Sequence, residues 1–187
     1  MQQKKLKVLF VRAPVISDAW PPIGLPYLAT FLKQNGYDVQ IDDMNIKMSH
    51  FRNSHYLDKI QSFEWQKTYF QEHKNYFDNW VQNVIDSEID VLGFMVWATN
   101  KYITEFLTEI IKKKTSNIKI VYGGPSSTDD FRIVERKDVD AIVWGEGEET
   151  ILEVLDSWEN NKSLENVDGI TFLGDDYLVK TNSRRKQ

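Results

Sequence analysis

Short, largely apolar runs at residues 7–11, 91–97, 118–122 and 141–144 alternate with helical-period stretches along this chain of 187 residues. A run of that length without polar interruption fits a strand buried on both faces, as parallel strands are when helices cover each side. Residues 37–42 read as a further strand. Five strands separated by helices predict an α/β fold, an open parallel sheet with helices on both faces. The length fits one domain with a self-sufficient core.

The intervening segments carry their own signals. From Gly24, the spacing of Leu25, Leu28, Ala29 and Leu32 is helical and stops at Asn35-Gly36. Residues 100–114 predict a helix with Ile103, Phe106, Leu107, Ile110 and Ile111 inward and Lys112, Lys113 and Lys114 at its negative end. Shorter helices are predicted over 127–135 and 148–158, the second with Glu148 and Glu149 in its first turn. Residues 49–87 are polar and aromatic without strong breakers, so they read as one long helix or two shorter ones, packing as a lid or a flank. Phe63, Tyr69, Phe70, Tyr76, Phe77, Trp80 and Val84 are the predicted buried face. Residues 169–173 and 177–180, around the turn Gly174-Asp175-Asp176, predict a hairpin.

Two predicted strands run straight into glycines: Val121-Tyr122-Gly123-Gly124-Pro125 and Trp144-Gly145-Glu146-Gly147-Glu148-Glu149-Thr150. Glycine at the carboxyl end of a strand lets backbone approach a ligand beside helix N-termini. Together the two stretches point to a rim for a flat or phosphate-bearing cofactor. Tight strand-to-helix turns use the same residues, and both readings stand at this point.

Composition excludes several classes. A net charge of −5, with only the short basic stretch Arg184-Arg185-Lys186, leaves no stripe with which to displace counterions from nucleic acid. No apolar run approaches a membrane span, and residues 1–5 lack a signal peptide's apolar segment, so the expected location is cytoplasmic, without membrane contact. The chain has no cysteine, which removes disulfides, thiolate zinc sites and cysteine-held iron–sulfur clusters from these residues.

Other chemistries lack their parts. His50, His55 and Asp58 at helical spacing read as a solvated face rather than a metal site. Asp42-Asp43 evokes a phosphoacceptor pocket, but the Asp and Lys needed at the ends of the third and fifth strands are replaced by Trp97 and Trp144. GxGxxG is absent, no Ser-His-Asp set sits at strand ends, and Glu146 and Glu148 suit a helix N-terminus better than acid–base work. No catalytic residue and no metal ligand is expected.

The order Pro21-Pro22-Ile23-Gly24-Leu25-Pro26-Tyr27-Leu28-Ala29, Asn35-Gly36-Tyr37-Asp38-Val39, Asp90-Val91-Leu92-Gly93-Phe94, Val121-Tyr122-Gly123-Gly124-Pro125, then Asp138-Val139-Asp140 and Gly145-Glu146-Gly147-Glu148 carries a resemblance. Over residues 6–180 the chain resembles the N-terminal cobalamin-binding domain of cobalamin-dependent radical S-adenosylmethionine enzymes. The resemblance implies a flavodoxin-like (Rossmann-like), doubly wound, five-stranded parallel sheet with a C-terminal hairpin. The corrin would lie across the carboxyl edge of the sheet and the nucleotide tail between sheet and helices. Pro14, Trp20, Pro22, Gly24 and Leu25 would then sit under or beside the corrin, and Trp97, Ala98 and Thr99 would contact the tail. Gly123, Gly124 and Pro125 would leave room for it, with Gly145, Glu146 and Gly147 on its other side.

The sequence departs from the pattern of methionine synthase and the mutases. Their DxHxxG, whose His ligates cobalt, is absent: the first loop holds Asp18-Ala19-Trp20, and Met95 falls nearest the mutase-type Ser. The only histidines are His50, His55 and His73, all in the polar-aromatic segment, so cobalt is expected without a protein imidazole. Trp20 or Trp97 would cover a corrin face, against the plainer reading of each as packing. The resemblance also implies a catalytic radical domain downstream, bearing CxxxCxxC, a [4Fe–4S] cluster and S-adenosylmethionine. There a 5′-deoxyadenosyl radical would activate the substrate and methylcobalamin would supply methyl; ring-forming and ring-contracting relatives exist too. A stand-alone corrinoid carrier or sensor, and a scaffold that has lost the ligand, are the rival readings.

Overall fold

The computed structural model describes residues 5–14, 23–48, 60–127, 132–135 and 137–183. In chain order, β1 (Lys7–Arg12) leads through α1 (Gly24–Gln34) to β2 (Asp38–Asp43). The single turn α2 (Met44–Lys47) and the helices α3 (Phe63–Glu72) and α4 (Lys74–Asp86) then precede β3 (Val91–Met95). Next come α5 (Lys101–Lys114), β4 (Lys119–Gly123), α6 (Arg132–Glu135), β5 (Ala141–Val143), α7 (Glu148–Glu159), β6 (Ile170–Leu173) and β7 (Val179–Thr181).

The strands form one sheet in the order β2-β1-β3-β4-β5-β6-β7, the first five parallel and the last two antiparallel. This is the doubly wound, flavodoxin-like arrangement, with one correction. The C-terminal hairpin does not stand apart from a five-stranded sheet: β6 pairs with β5, which makes the sheet seven-stranded. Its start is tied down as well, since Trp144 N–H donates to the Gly169 carbonyl at 3.0 Å and the Thr150 hydroxyl to the Asp168 carbonyl at 3.2 Å.

Alternating residues of β1, β3, β4 and β5 enter two separate cores. Val8, Phe10, Val91, Val121, Ala141 and Val143 pack under α1 and α7. Leu9, Val11, Leu92, Phe94, Ile120, Tyr122 and Ile142 pack under α3, α4 and α5. A strand serving two cores has no face left for polar side chains, which is why its sequence is continuously apolar.

The 49–87 segment contains two helices among its described residues, broken at His73, whose N–H still bonds the Tyr69 carbonyl at 3.2 Å. They flank the sheet. Tyr69, Phe70, Phe77, Trp80 and Val84 are buried as expected, whereas Phe63 is 41% exposed with its ring edge-on to Tyr102. β3 stops at Met95 rather than 97, and the single turn α2 follows β2 where no helix is expected. α6 (Arg132–Glu135) falls within the expected 127–135, of which 128–131 lie outside the described residues. No helix among the described residues is long and apolar enough to cross a membrane.

Carboxylates fasten the amino edge of the sheet. Asp90 accepts Lys7 N–H at 2.8 Å, and Asp140 accepts Ile120 N–H at 2.8 Å while pairing with Lys112 and Lys119. Glu159 at the end of α7 accepts Lys5 Nζ at 2.9 Å, Leu6 N–H at 2.9 Å and the Tyr37 hydroxyl at 3.2 Å. The Glu159 hydrogen bond holds the Lys5 proton more tightly than in an ordinary lysine, and burial does the same for the Tyr37 phenol. Both groups bind protons better folded than unfolded. Their stabilisation is therefore complete below about pH 10 and is lost as pH rises through the folded values. Thermal unfolding followed by circular dichroism should show Tm falling as pH rises above about pH 10. Glu159→Gln should make that fall shallower; an unchanged slope would count against the cluster.

Candidate functional site

Because the first five strands run the same way, their carboxyl ends and following loops gather on one edge. On the α1/α7 side of that edge is a cleft of about 210 Å³. Phe10, Gly93, Val121 and Val143 of four adjacent strands form its floor. Leu25 and Leu28 of α1 stand on one side and Ile151 of α7 on the other.

The glycines around it differ in why they are glycine. Gly93 lies opposite Phe10 in register, and a Cβ there would come within 2.6 Å of the Phe10 ring, so that ring is what excludes a side chain. Gly124 has φ +102°, and its Cβ would meet the Val96 carbonyl oxygen at 2.8 Å. Gly24 and Gly123 have no such internal cause. Among the described residues nothing lies within 4 Å of a Cβ on Gly24, and only the Val143 carbonyl, at 3.8 Å, approaches one on Gly123. Glycine inside a helix or strand costs about 0.5–1 kcal/mol relative to alanine, yet both positions border the cleft and leave space open in it.

The cleft is electrostatically simple. Among the described residues its only charged lining groups are Glu146 and Glu148. Helices α1 and α7 both begin at it, neither with a side-chain N-cap among the described residues; the first turn of α1 has no acidic residue, whereas Glu148 and Glu149 offset the positive end of α7.

Seven of the residues expected from sequence converge here: Gly24, Leu25, Gly123, Gly124, Gly145, Glu146 and Gly147. Pro14, Trp97, Ala98, Thr99 and Pro125 do not line the cleft. Pro14 is buried, Trp97 is 42% exposed on the β3–α5 loop beside Ala98 and Thr99, and Pro125 is in the turn after Gly124. Trp20 and Pro22 lie outside the described residues, as do His50, His55 and Asp58. The Thr99 hydroxyl and the Trp144 indole N–H, on two loops of this edge, are buried without a hydrogen-bond partner among the described residues.

The floor was missed because Phe10, Gly93, Val121 and Val143 read as ordinary core. The one available signal was the register that sets Gly93 against Phe10. The Asp42–Asp43 pair proves structural. Asp43 pairs with the buried Arg12 at 3.2 Å and caps α2, while Asp42 accepts the Trp80 indole N–H at 3.0 Å and pairs with Lys47. His73 is on the other side of the sheet, its ring stacked 4.4 Å from Tyr69. Among the described residues no group of three His, Cys, Asp or Glu is placed to hold a metal ion.

Comparison with known proteins bears on this edge. The family model for the B12-binding domain matches residues 11–155. The anaerobic magnesium-protoporphyrin IX monomethyl ester cyclase of Synechocystis sp. is 38% identical over 77 residues, 40% of this chain and 15% of the cyclase. An uncharacterised methyltransferase of Pyrococcus horikoshii is 25% identical over 178 residues, 90% of this chain and 33% of that protein. The chain thus spans 15% to 33% of the length of these curated relatives. In fold it is similar to the cobalamin-dependent S-adenosylmethionine radical enzyme OxsB with aqua-cobalamin bound. The TM-score is 0.70 over 99% of this chain and 23% of OxsB, at 19% identity, a likeness of fold.

The two kinds of glycine separate experimentally. Gly24→Ala and Gly123→Ala should leave folding stability within about 1 kcal/mol of the parent, as measured by urea unfolding. Gly124→Ala should cost more than about 1 kcal/mol, because its φ and the Val96 carbonyl both oppose a side chain. Equal losses at all three positions would mean that the open space is not real.

Proposed function

The chain belongs to the B12-binding domain family, and on that premise we propose that it is the cobalamin-holding module of a larger radical S-adenosylmethionine enzyme, serving methyl transfer there. The observation that carries this reading is the unfilled space at Gly24 and Gly123 above an apolar floor. A cleft of about 210 Å³ suits the nucleotide tail of cobalamin and is far too small for the corrin, which would lie across the rim.

The residues present fit such a ligand. Leu25, Leu28 and Ile151 would pack against the tail, and the start of α1, with no acidic residue in its first turn, would meet its phosphate. Glu146 and Glu148 would accept hydrogen bonds from the corrin's side-chain amides. Gly124, Gly145 and Gly147 would keep the rim low enough for the ring. Trp97, Ala98, Thr99, Pro14 and Pro125 would border the corrin from the neighbouring loops, and the proposal extends to Trp20 and Pro22 by their place in the 12–24 sequence. When bound, cobalamin supplies a methyl group carried on cobalt. This chain's own part is to bind the cofactor, orient it and cover one of its sides.

The greater length of the relatives supports a radical domain, with its [4Fe–4S] cluster and S-adenosylmethionine, elsewhere in the whole protein. The description of the Pyrococcus relative as a methyltransferase favours methyl transfer as the reaction. The position of His73, packed on Tyr69 across the sheet, supports cobalt without a protein imidazole.

Mixing the chain with hydroxocobalamin and recording visible spectra after gel filtration tests the reading. Corrin absorbance should co-elute with the parent. Gly24→Leu with Gly123→Leu, which fills the cleft, should weaken binding at least about tenfold, or roughly 1.4 kcal/mol, with Tm retained. Replacing His50, His55 and His73 by Ala should leave the bound spectrum unchanged. A folded parent with no co-eluting corrin would favour the scaffold reading instead, and a spectral shift in the histidine-free variant would overturn the ligand assignment.

A further inference from the structure

Asn100 stands at the N-cap of α5, yet its side chain does not cap the helix. Asn at this position ordinarily accepts a hydrogen bond from the first turn. Here the buried Asn100 amide serves the loops instead. Its Nδ2 donates to the carbonyls of Ala13 at 3.1 Å and Met95 at 3.0 Å, and its Oδ1 accepts Trp97 N–H at 2.8 Å. The capping role has passed to Gln66 of α3. Gln66 Oε1 accepts the N–H groups of Tyr102 at 2.9 Å and Ile103 at 3.3 Å, both in the first turn of α5. Its Nε2 donates to the carbonyls of Ile60 and Ala98, each at 2.9 Å. Gln66 is fully buried, and all four of its hydrogen-bonding positions are used, the condition under which a buried amide is not a liability.

These contacts lead to the cleft. Val96 N–H donates to the Gly123 carbonyl at 2.7 Å, and the Val96 carbonyl accepts Ser126 N–H at 3.1 Å. That carbonyl also bounds the space beside Gly124. The backbone of residues 95–100 therefore places the Gly123–Gly124 rim, and Asn100 ties the same backbone to the root of the loop after β1.

We propose that Gln66 is a positioning residue for the cleft: it sets the 95–100 backbone from which the Gly123–Gly124 rim hangs, so that α3 buttresses the ligand site. The ligand half of this inference rests on the cobalamin reading; the backbone half does not.

Three variants test it: Gln66→Met, which keeps length and removes every hydrogen bond; Gln66→Glu, which keeps the acceptor and loses both donors at neutral pH; and Val84→Ala. Val84 is buried in α4, so its truncation weakens the same insert without touching the loop. In the free protein, Q66M should raise amide hydrogen exchange over residues 95–103 at least about tenfold, with the β1 amides unchanged. It should also weaken hydroxocobalamin binding about tenfold and alter the visible circular dichroism of the bound corrin, at temperatures where the protein is folded. Q66E should bind weakly near pH 8 and recover as the introduced carboxyl group protonates toward about pH 5. V84A should lower Tm with affinity and corrin dichroism intact.

Parental exchange and affinity in Q66M would overturn the proposal, as would an equal loss of affinity in V84A. If Q66M does not fold, the pH recovery of Q66E decides, and its absence counts against the role. A parent that binds no corrin refutes the cobalamin reading and with it the ligand half, and the exchange measurement then judges the buttress alone.

Discussion

Burial of parallel strands on both faces governs the rest of this molecule. Once Val8 and Phe10 are committed to one core and Leu9 and Val11 to the other, helices cover both faces of the sheet, and a ligand can reach a face only where that cover ends. The carboxyl edge is what remains, where strands end and helices begin. Parallel pairing sends the loops after β1, β3, β4 and β5 to that edge together, although their residues are far apart in sequence. The cleft is thus a by-product of how the apolar runs are satisfied, refined by leaving side chains out at Gly24 and Gly123.

Two amides near this edge divide their work in an uncommon way. Asn100 gives up its local capping role to join two stretches of backbone, and Gln66, from another helix, caps α5 in its place. The exchange makes α3 part of the rim's support without placing it over the cleft. The loop it ties carries an exposed Trp97 and a buried Thr99 hydroxyl that has no hydrogen-bond partner among the described residues.

Much of this was legible in the sequence, for physical reasons that also mark where legibility stopped. The apolar runs gave the parallel strands, because burial on both faces leaves no polar alternation. Glycine after a strand marked the rim, because conformational freedom and missing bulk leave a visible trace. The floor was hidden: Phe10, Val121 and Val143 look the same in sequence whether they face a helix or a cleft, and only pairing with Gly93 distinguishes Phe10. Gln66 was hidden for a related reason. In a segment as polar as 49–87, an amide on a helix reads as solvated, and the partners that bury it, Ala98, Tyr102 and Ile103, lie more than thirty positions away. The hairpin was visible as a hairpin, but its pairing with β5 depends on tertiary contact.

That pairing bears on what holds the glycine loop of the cleft in place. The loop carrying Gly145 and Gly147 is held from behind by the residues leading into β6, through Trp144 to Gly169 and Thr150 to Asp168. The segment matched by the family model closes at residue 155, within α7 and ahead of those ties. A graft or recombination joint placed there would carry the glycine loop away from its backing. The residues leading into β6 thus help to set the shape of the cleft although they lie outside the matched segment.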